Sequence, residues 1–236
     1  MASKGGPNVE RDGLVFSVDA ASSRSYPGTG TTWYDLSGNG YNFSTSTSPT
    51  FTTGVNGVPC FDFTNGNGEY FDSVKLSPFS GNGFAITVMA VVNQNSTGNY
   101  HGILTQNEQD GVDSMAFMSY NGKFGTDHWS PGGRRISTAA SNNQVYMVTW
   151  TITQWSQHQT TSQQIYLDGE SQTTEAYSTD TVGSLVQDYF RIGNWQLNRA
   201  DMDFDGQIYC VSCYNRALSS QEVLQNYNAL KNRFGL

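Results

Sequence analysis

The chain has 236 residues, a formal net charge of −8 and an isoelectric point of about 4.7. Its only adjacent basic pair is Arg134-Arg135, so the sequence lacks the concentrated positive charge that nucleic-acid binding requires. No segment approaches the roughly 20 apolar residues that cross a bilayer. The N-terminal sequence MASKGGPNVERDG has no apolar stretch typical of a secretory signal. We therefore expect no nucleic-acid partner, no membrane insertion and no secretion through a signal peptide.

The composition favours an all-β protein with many turns. Aromatic residues make up 13% of the chain, and there are 25 glycines among many Ser, Thr and Asn residues. Residues 1–12 are small and polar, and we expect them to form a flexible N-terminal arm. No linker interrupts residues 13–236, whose length suits one large β-sandwich.

Strand-like runs recur along the whole chain. They are Leu14–Ala20, Cys60–Phe63, Tyr70–Val74, Ala85–Val92, Ser114–Tyr120, Val145–Thr153, Gln164–Leu167, Tyr189–Ile192 and Gln207–Tyr214. The run 85–92 is almost continuously apolar, which predicts a central strand covered on both faces. In 145–152, the alternating set from Tyr146 to Ile152 is predicted to face the core. Asp168-Gly169 predicts a tight hairpin after the seventh run.

One helix is predicted at the end of the chain, over about residues 219–233. Ser219 and Glu222 have the spacing of a capping box, in which each side chain satisfies a backbone N–H of the first turn. Gly235 follows as a C-terminal stop. Apolar residues recur at helical spacing at Val223, Tyr227, Leu230 and Phe234.

The three cysteines, Cys60, Cys210 and Cys213, are expected to be buried free thiols. Cys210 and Cys213 have the C-x-x-C spacing of zinc ligands, but no second pair completes a set of four. On a strand these two side chains would point to opposite faces.

Four groups of segments, in order and covering nearly the whole chain, carry a family resemblance. They are 14–20 (LVFSVDA) with 33–40 (WYDLSGNG), 60–63 (CFDF) with 69–71 (EYF), 165–169 (IYLDG) with 190–193 (FRIG), and 204–208 (FDGQI) with 214–219 (YNRALS). Together they resemble the laminin-G-like, concanavalin A-like jelly-roll superfamily. The resemblance implies a two-sheet antiparallel jelly-roll sandwich that binds carbohydrate or protein, often with Ca²⁺.

The segment from Leu14 to Gly40 is similar to jelly-roll modules of tailed-bacteriophage virion proteins, especially those of marine phages. This narrower resemblance implies a virion protein that is assembled in the host cytoplasm and displayed as capsid decoration or as a tail or fibre component. Other virion proteins would then be its partners, and it would be homo-oligomeric or bound in a lattice. Host surface polysaccharide is a further expected partner.

The resemblance also implies a structural Ca²⁺ site. In the family, the ion commonly joins the Asp of the D-x-SGNG turn to the Asp of FDG, and these positions are Asp35 and Asp205, with Asn39 as a helper. An acidic residue often follows FDG-x-I, but Tyr209-Cys210 occupy that place. The alternative is that both aspartates cap turns through hydrogen bonds to backbone N–H groups.

Four aromatic residues lie near polar turns and are candidates for binding a glycan or a protein partner: Tyr100, Trp129, Trp155 and Trp195. Aromatic faces suit the C–H faces of sugars, and the same residue types form protein interfaces. The alternative is that they belong to the core, because β-sandwiches bury many Trp and Tyr side chains. For Trp129 and Trp155, we expect exposure.

No catalytic set is visible. Retaining glycoside hydrolases use two carboxylates about 5 Å apart, and none of the six glutamates lies two or four residues from another. The three histidines are scattered and are expected at the surface. We therefore expect a non-enzymatic bacteriophage virion structural protein that adheres to host glycans. The alternatives are a lectin module unconnected with a virion, and a glycoside hydrolase or lyase on the same fold.

Overall fold

The computed structural model describes residues 8–54, 57–81, 83–96, 98, 100–106, 115–127, 134–155, 162–176, 188–195 and 202–236. The strands are β1 Leu14–Asp19, β2 Thr32–Trp33, β3 Phe43–Ser44, β4 Thr50–Thr53, β5 Pro59–Phe63, β6 Phe71–Leu76, β7 Ile86–Gln94, β8 Tyr100–Gln106, β9 Met115–Tyr120, β10 Lys123–Asp127, β11 Arg134–Ile136, β12 Val145–Ile152, β13 Gln163–Leu167, β14 Glu170–Ser171, β15 Thr174–Ala176, β16 Tyr189–Ile192 and β17 Gly206–Tyr214. The helix is α1, Ser220–Phe234. All nine predicted strands and the predicted helix are confirmed.

The strands form two antiparallel sheets. The eight-stranded sheet has the order β14-β13-β12-β7-β17-β5-β4, and β1 also pairs with β17. The nine-stranded sheet has the order β15-β11-β10-β9-β8-β16-β6-β3-β2. Strands distant in sequence are neighbours in both sheets, which is the arrangement of a jelly-roll sandwich and confirms the predicted fold class.

The core lies between the two sheets and is rich in aromatic rings. Phe16 of β1 contacts Phe43 and Phe190 of the opposite sheet, with ring centroids 4.9 and 5.0 Å apart in edge-to-face geometry. Edge-to-face contacts of this kind are favourable because the positive edge of one ring meets the negative face of another. Val148, Trp150 and Ile152 of β12 face this core, as their alternation predicted.

The outer face of the eight-stranded sheet is also covered. Every residue of β7 is buried, because helix α1 packs across the side of the sheet that faces away from the core. Met89 and Val91 contact this second apolar layer, which includes Phe234 of the helix. The prediction of a strand buried on both faces is thus confirmed.

Helix α1 begins with the predicted capping box. Ser219 is the N-cap and its side chain accepts a hydrogen bond from the backbone N–H of Glu222, while the Glu222 carboxylate accepts one from the Ser219 backbone N–H. Gly235 ends the helix with φ of 69°, a left-handed conformation that glycine adopts at little cost. At 15 residues, the one helix of the described chain falls short of the length and apolarity needed to cross a bilayer.

Residues 8–12, which were predicted to belong to a flexible arm, dock on the chain's own helix. The carbonyl of Asn8 accepts a hydrogen bond from Gln225 at 2.8 Å, and the backbone N–H of Glu10 donates to buried Asn226 at 2.7 Å. Tyr214 also donates its hydroxyl hydrogen to the carbonyl of Glu10. Asn8 and Glu10 are therefore held against the body of the domain. Residues 1–7 lie outside the described residues, and the flexible arm stays a prediction.

All three cysteines are buried free thiols, as predicted. Cys213 faces the core between the sheets, and Cys210 faces the layer beneath the helix. Burial raises the pKa of both Cys60 and Cys210 to about 12. These thiols therefore remain protonated and behave as small apolar side chains.

Candidate functional site

The outer face of the nine-stranded sheet carries an aromatic patch, made of Tyr100, Tyr120 and Trp195. Tyr100 of β8 and Tyr120 of β9 are direct partners in the strand register. Because side chains alternate along a strand, β9 places Phe117 in the core and Tyr120 outside. Trp195 comes from the loop that follows β16 and packs on the same face.

Within the aromatic patch, Tyr100 contacts both Tyr120 and Trp195. Tyr100 and Tyr120 are stacked with centroids 4.3 Å apart and planes inclined by 18°. Trp195 meets Tyr100 edge-on at 5.1 Å and is only 3% exposed. The two tyrosines are half-buried. Trp195 therefore packs against the edge of the pair and is almost fully buried, while the two tyrosines remain partly exposed.

Gly102 explains how the loop after β16 reaches this face. A Cβ atom at Gly102 would lie 2.6 Å from the backbone nitrogen of Trp195 and 2.7 Å from the carbonyl carbon of Asn194. These are backbone atoms, so they cannot rotate away as a side chain could. A glycine at position 102 thus permits the close approach of strand and loop that positions Trp195.

A charged bridge borders the aromatic patch. Glu175 accepts hydrogen bonds from Lys123 at 2.8 Å and from Arg135 at 2.7 Å. Hydrogen bonds from Lys123 and then Arg135 lower the pKa of the Glu175 carboxyl group. The Arg135 guanidinium also lies 5.6 Å from the ring centroid of Tyr120. The patch is therefore bordered by fixed charges and planar polar groups.

A buried arginine fixes the neighbouring strands. Arg191 of β16 is 1% exposed, pairs with Asp72 of β6 and lies 3.8 Å from the ring centroid of Tyr70. Burial by itself lowers the pKa of Arg191, but hydrogen bonding to Asp72 and the charge of Asp72 raise it above its ordinary value. Arg191 therefore remains charged although it is buried.

The loop after β16 is held by a second polar cluster. Asp203 is fully buried and accepts hydrogen bonds from the Gly68 backbone N–H at 2.7 Å and from the side chain of Asn194. Burial raises the pKa of Asp203, and these hydrogen bonds oppose the rise. His101 is 2% exposed and its Nδ1 lies 2.7 Å from the backbone carbonyl of Asp203. The expectation of a surface histidine is therefore wrong at this position; His128 and His158 lie outside the described residues.

His101 also contacts a hydroxyl group, since its Nε2 lies 3.2 Å from Oγ of Ser96. In a serine hydrolase the imidazole is oriented by a carboxylate. Here its other nitrogen contacts a backbone carbonyl, and the Asp203 carboxylate is engaged elsewhere. The arrangement joins strand β8 to the loops that contain Ser96 and Asp203.

The predicted metal ligand Asp35 accepts hydrogen bonds from its own turn and from Ser17 of strand β1. Its Oδ1 accepts from the backbone N–H groups of Ser17 at 2.9 Å and Ser37 at 2.8 Å. Its Oδ2 accepts from the hydroxyl of Ser37 and the backbone N–H groups of Gly40 and Tyr41 at 2.7, 3.0 and 3.2 Å. A carboxylate has roughly four lone-pair sites, and these hydrogen bonds occupy those of Asp35. Asp35 therefore caps its turn, which was the alternative to metal binding.

The structure does not bring Asp35 and Asp205 together. Asp35 binds Ser17, which pairs with Ser212, whereas Asp205 precedes Gly206 at the other end of β17. Six residues of strand correspond to about 20 Å, so one ion cannot join the two carboxylates. Asn39 is also separate from Asp205, because its side-chain amide donates to the carbonyls of Leu14 and Val15.

Asn39 lines an open cleft of about 470 Å³ whose charged lining residues are Arg11 and Lys75. A positively charged lining does not suit a cation. Asp205 lies instead near Asp62, whose pKa is raised by burial and by the charge of Asp205. Oδ1 of Asp62 is buried without a hydrogen-bond partner among the described residues. No group of three or more Asp, Glu, His or Cys side chains suited to a metal ion occurs in the described part of the chain.

The predicted binding residues therefore separate into three groups. Tyr100 and Trp195 lie together in the aromatic patch, and Tyr120 joins them although the sequence analysis missed it. Trp155 is fully buried and stacks on Phe84 with centroids 5.7 Å apart, so the expectation of its exposure is wrong. Trp129 lies outside the described residues.

Comparisons with known proteins agree with this architecture. The sequence matches the Laminin_G_3 family model, described as the concanavalin A-like lectin/glucanases superfamily, over residues 65–224. No curated protein matches the chain significantly in sequence.

Solved structures with the same fold include a sialidase from Trypanosoma rangeli in complex with the inhibitor DANA, with a TM-score of 0.62 and 15% identity. The match covers 93% of this chain and 33% of the sialidase. The binding domain of Paraclostridial Mosquitocidal Protein 1 matches with a TM-score of 0.62 and 18% identity over 94% of this chain and 53% of that one. The receptor binding domain of botulinum neurotoxin D matches with a TM-score of 0.59 and 14% identity, over 92% and 52%.

The chain thus spans about a third to a half of the length of these structural neighbours. At such low identities the likeness concerns the fold. The family match covers more than half of the chain and ends within the predicted helix. The protein therefore belongs to the concanavalin A-like lectin/glucanases superfamily.

Proposed function

We propose that the protein is a non-enzymatic carbohydrate-binding module that holds saccharides on the outer face of its nine-stranded sheet. The observation that carries this proposal is the stacked pair of Tyr100 and Tyr120, supported by Trp195 and bordered by Arg135 and Glu175. The fold is lectin-like, and two of its structural neighbours are binding domains of toxins.

The chemistry of the aromatic patch suits a sugar. A saccharide offers apolar C–H faces to aromatic rings and hydroxyl groups to planar polar side chains, and specific sites combine an apolar surface with a few placed polar groups. Tyrosine supplies both properties, because its ring is apolar and its hydroxyl is a donor and an acceptor. The Lys123–Glu175–Arg135 bridge adds donors that are held in place.

A glycan array followed by titration calorimetry tests the proposal. Tyr100→Ala and Tyr120→Ala should each weaken binding by at least about tenfold, since loss of a central aromatic anchor costs more than about 1.4 kcal/mol. Tyr34→Ala is the matched control, because Tyr34 is 45% exposed elsewhere on the surface. Tyr100→Phe and Tyr120→Phe keep the stacked rings and remove the hydroxyls, so they separate a binding defect from a folding defect.

An array without signal from well-folded protein would overturn the proposal. Equal affinities of wild type, Tyr100→Ala and Tyr120→Ala would also overturn it, because binding would then occur elsewhere. A loss of affinity in Tyr34→Ala of the same size would assign the effect to general destabilisation and would likewise count against the aromatic patch.

We further propose that the module is displayed on a bacteriophage particle, as capsid decoration or as part of a tail or fibre. This setting is supported by the resemblance of residues 14–40 to phage virion modules and by the buried free thiols, which suit assembly in a reducing cytoplasm. Its partners would be other virion proteins and host surface polysaccharide. Mass spectrometry of purified particles should detect the chain, and its consistent absence from them would exclude this setting.

A further inference from the structure

A cavity of about 210 Å³ lies against the outer face of the eight-stranded sheet, on the opposite side of the sandwich from the aromatic patch. Strands β1 and β17 contribute Ser17 and Ser212 to its lining. Helix α1 contributes Leu230 and Arg233, and the docked N-terminal segment contributes Arg11. The cavity therefore depends on the two ends of the chain packing over the sheet.

The lining of this cavity is positively charged, although the chain as a whole has a net charge of −8. Arg11, Arg24 and Arg233 line it together with one carboxylate, Asp19, so three positive charges and one negative charge leave a net charge of +2. Arg233 is paired with Asp19 through both of its terminal nitrogens. The surplus positive charge thus belongs to Arg11 and Arg24.

The fold does not engage the side chain of either surplus arginine. Arg11 and Arg24 are exposed, and no hydrogen bond or ion pair of their guanidinium groups to another described residue is present. Two unpaired guanidinium groups at one cavity repel each other, and an anion between them removes that repulsion. A carboxylate is a favoured partner because it can accept two parallel N–H bonds from one guanidinium group.

The rest of the lining suits a compact carbon skeleton. Leu14, Leu36 and Leu230 provide apolar surface, and Ser17 and Ser212 provide hydroxyl groups. Ser212 donates its hydroxyl hydrogen to Oγ of Ser17 at 2.9 Å, and Ser17 Oγ retains a hydrogen of its own to donate. A cavity of about 150 Å³ accommodates benzene, so this one has room for a six-membered ring with one charged substituent.

We propose that this cavity binds a small organic carboxylate whose skeleton is about the size of one six-membered ring. The carboxylate lies between Arg11 and Arg24, and the ring rests on the leucine side chains. An aromatic acid and a uronic acid share this chemistry. This binding site is independent of the proposed saccharide site, since it lies on the other sheet.

Titration calorimetry of the full chain with benzoate and with glucuronate tests the proposal, with benzamide and glucose as the uncharged counterparts. We expect at least one carboxylate to bind and its uncharged counterpart to bind at least about tenfold more weakly, as expected for a charged hydrogen bond. Arg24→Gln should weaken carboxylate binding by about tenfold, and Arg24→Lys should give an intermediate loss because it keeps the charge without the planar fork. Lys75→Gln is the control, since it removes an exposed positive charge that does not line this cavity.

Binding of benzoate alone would identify an aromatic acid as the ligand class, and binding of glucuronate alone would identify an acidic sugar. Absence of heat with both carboxylates would overturn the proposal. Equal affinity in wild type and Arg24→Gln would also overturn it, and so would equal affinity for a carboxylate and its uncharged counterpart. Arg24 is exposed, so its variants are expected to fold as the wild type does.

Discussion

Arg191 donates two hydrogen bonds to the carboxylate of Asp72, from Nε at 2.7 Å and from Nη2 at 2.8 Å. The arginine is 1% exposed, and its Nη1 is buried without a hydrogen-bond partner among the described residues. Asp72→Ala would leave a buried charge without compensation. We expect this change to lower the free energy of unfolding by about 3 kcal/mol, measured by urea denaturation.

The double variant Asp72→Ala/Arg191→Met distinguishes destabilisation by the unpaired charge of Arg191 from destabilisation by lost packing contacts of Asp72. It should recover most of the stability, because an apolar side chain of similar length requires no counter-charge. Lys75→Ala, on the same strand but exposed, should change stability by no more than about 0.5 kcal/mol. A double variant as unstable as Asp72→Ala would show that the buried charge is not the cause.

The helix cap should make stability depend on pH. Hydrogen bonding from Arg216, followed by the hydrogen bond from the Ser219 backbone, lowers the pKa of Glu222 from 4.5 to about 2. A carboxyl group whose pKa is lowered by folding stabilises the folded state above its unfolded value, and this contribution is lost as the pH falls toward the folded value. Glu222→Gln should therefore be less stable than wild type near neutral pH by about 1 kcal/mol, the usual value of a cap.

Urea denaturation of both proteins across the acidic range measures this difference. The difference in unfolding free energy between wild type and Glu222→Gln should shrink as the pH falls from above 4.5 toward 2, because Glu222 titrates between these two values. Glu170→Gln, in the exposed strand β14, serves as the control and should show no such gap. A gap that is constant across the range would mean that the charge of Glu222 does not contribute.

Asp62 should destabilise the protein near neutral pH. Burial and then the charge of Asp205 raise its pKa, so its ionised form is less favourable in the folded state than in the unfolded chain. This cost is present at neutral pH and disappears as the pH falls below the unfolded value. Asp62→Asn, in the presence of a chelator, should raise the Tm by about 1–3 °C, which corresponds to less than about 1 kcal/mol in a chain of this size.

The same two proteins test the calcium ion that the family resemblance implies. A cation that binds only the folded state raises the Tm, and the rise grows with the ratio of the free ion concentration to the dissociation constant. If Ca²⁺ raises the Tm of the wild type but not that of Asp62→Asn, the ion is located at Asp62 and Asp205. An unchanged Tm of the wild type would remove calcium from the description of this protein.

Catalysis is expected to be absent. Incubation with polysaccharides should produce no new reducing ends and no unsaturated products, and the protein should not hydrolyse a simple activated ester. Ser96→Ala is the informative variant for the ester assay, because Ser96 is the hydroxyl in contact with His101. Ester hydrolysis by the wild type that is lost in Ser96→Ala would establish a nucleophilic serine and contradict the proposed non-enzymatic role.

The sequence was informative wherever periodicity determines structure. The continuous apolar run of β7, the alternation of β12 and the capping box of α1 each predicted the observed element. Strands β2, β3 and β14 contain two residues each and carry no periodic signal. These short strands form because their backbone groups pair with a neighbouring strand. That pairing is visible only in the assembled sheet.

Site prediction was weaker because coverage by distant segments is not visible in a sequence. Trp155 follows a strand and resembles a loop residue, yet Phe84 and the surrounding core bury it completely. Tyr120 was missed, although the alternation of β9 and the following Asn121-Gly122 turn place it on an outer face at a strand end. Asp35 could be assigned to turn capping only when its hydrogen-bond partners were known.

The docking of residues 8–12 on helix α1 has a consequence for how the module can be mounted. Both described ends of the chain lie on the helix-covered side of the sandwich, since Asn8 bonds to Gln225 and the helix runs on to Phe234. In the display on a particle that we propose, a tether that joins the chain before Asn8 or after Phe234 would begin on that side. The tyrosine pair, on the outer face of the other sheet, would then lie opposite the point of attachment.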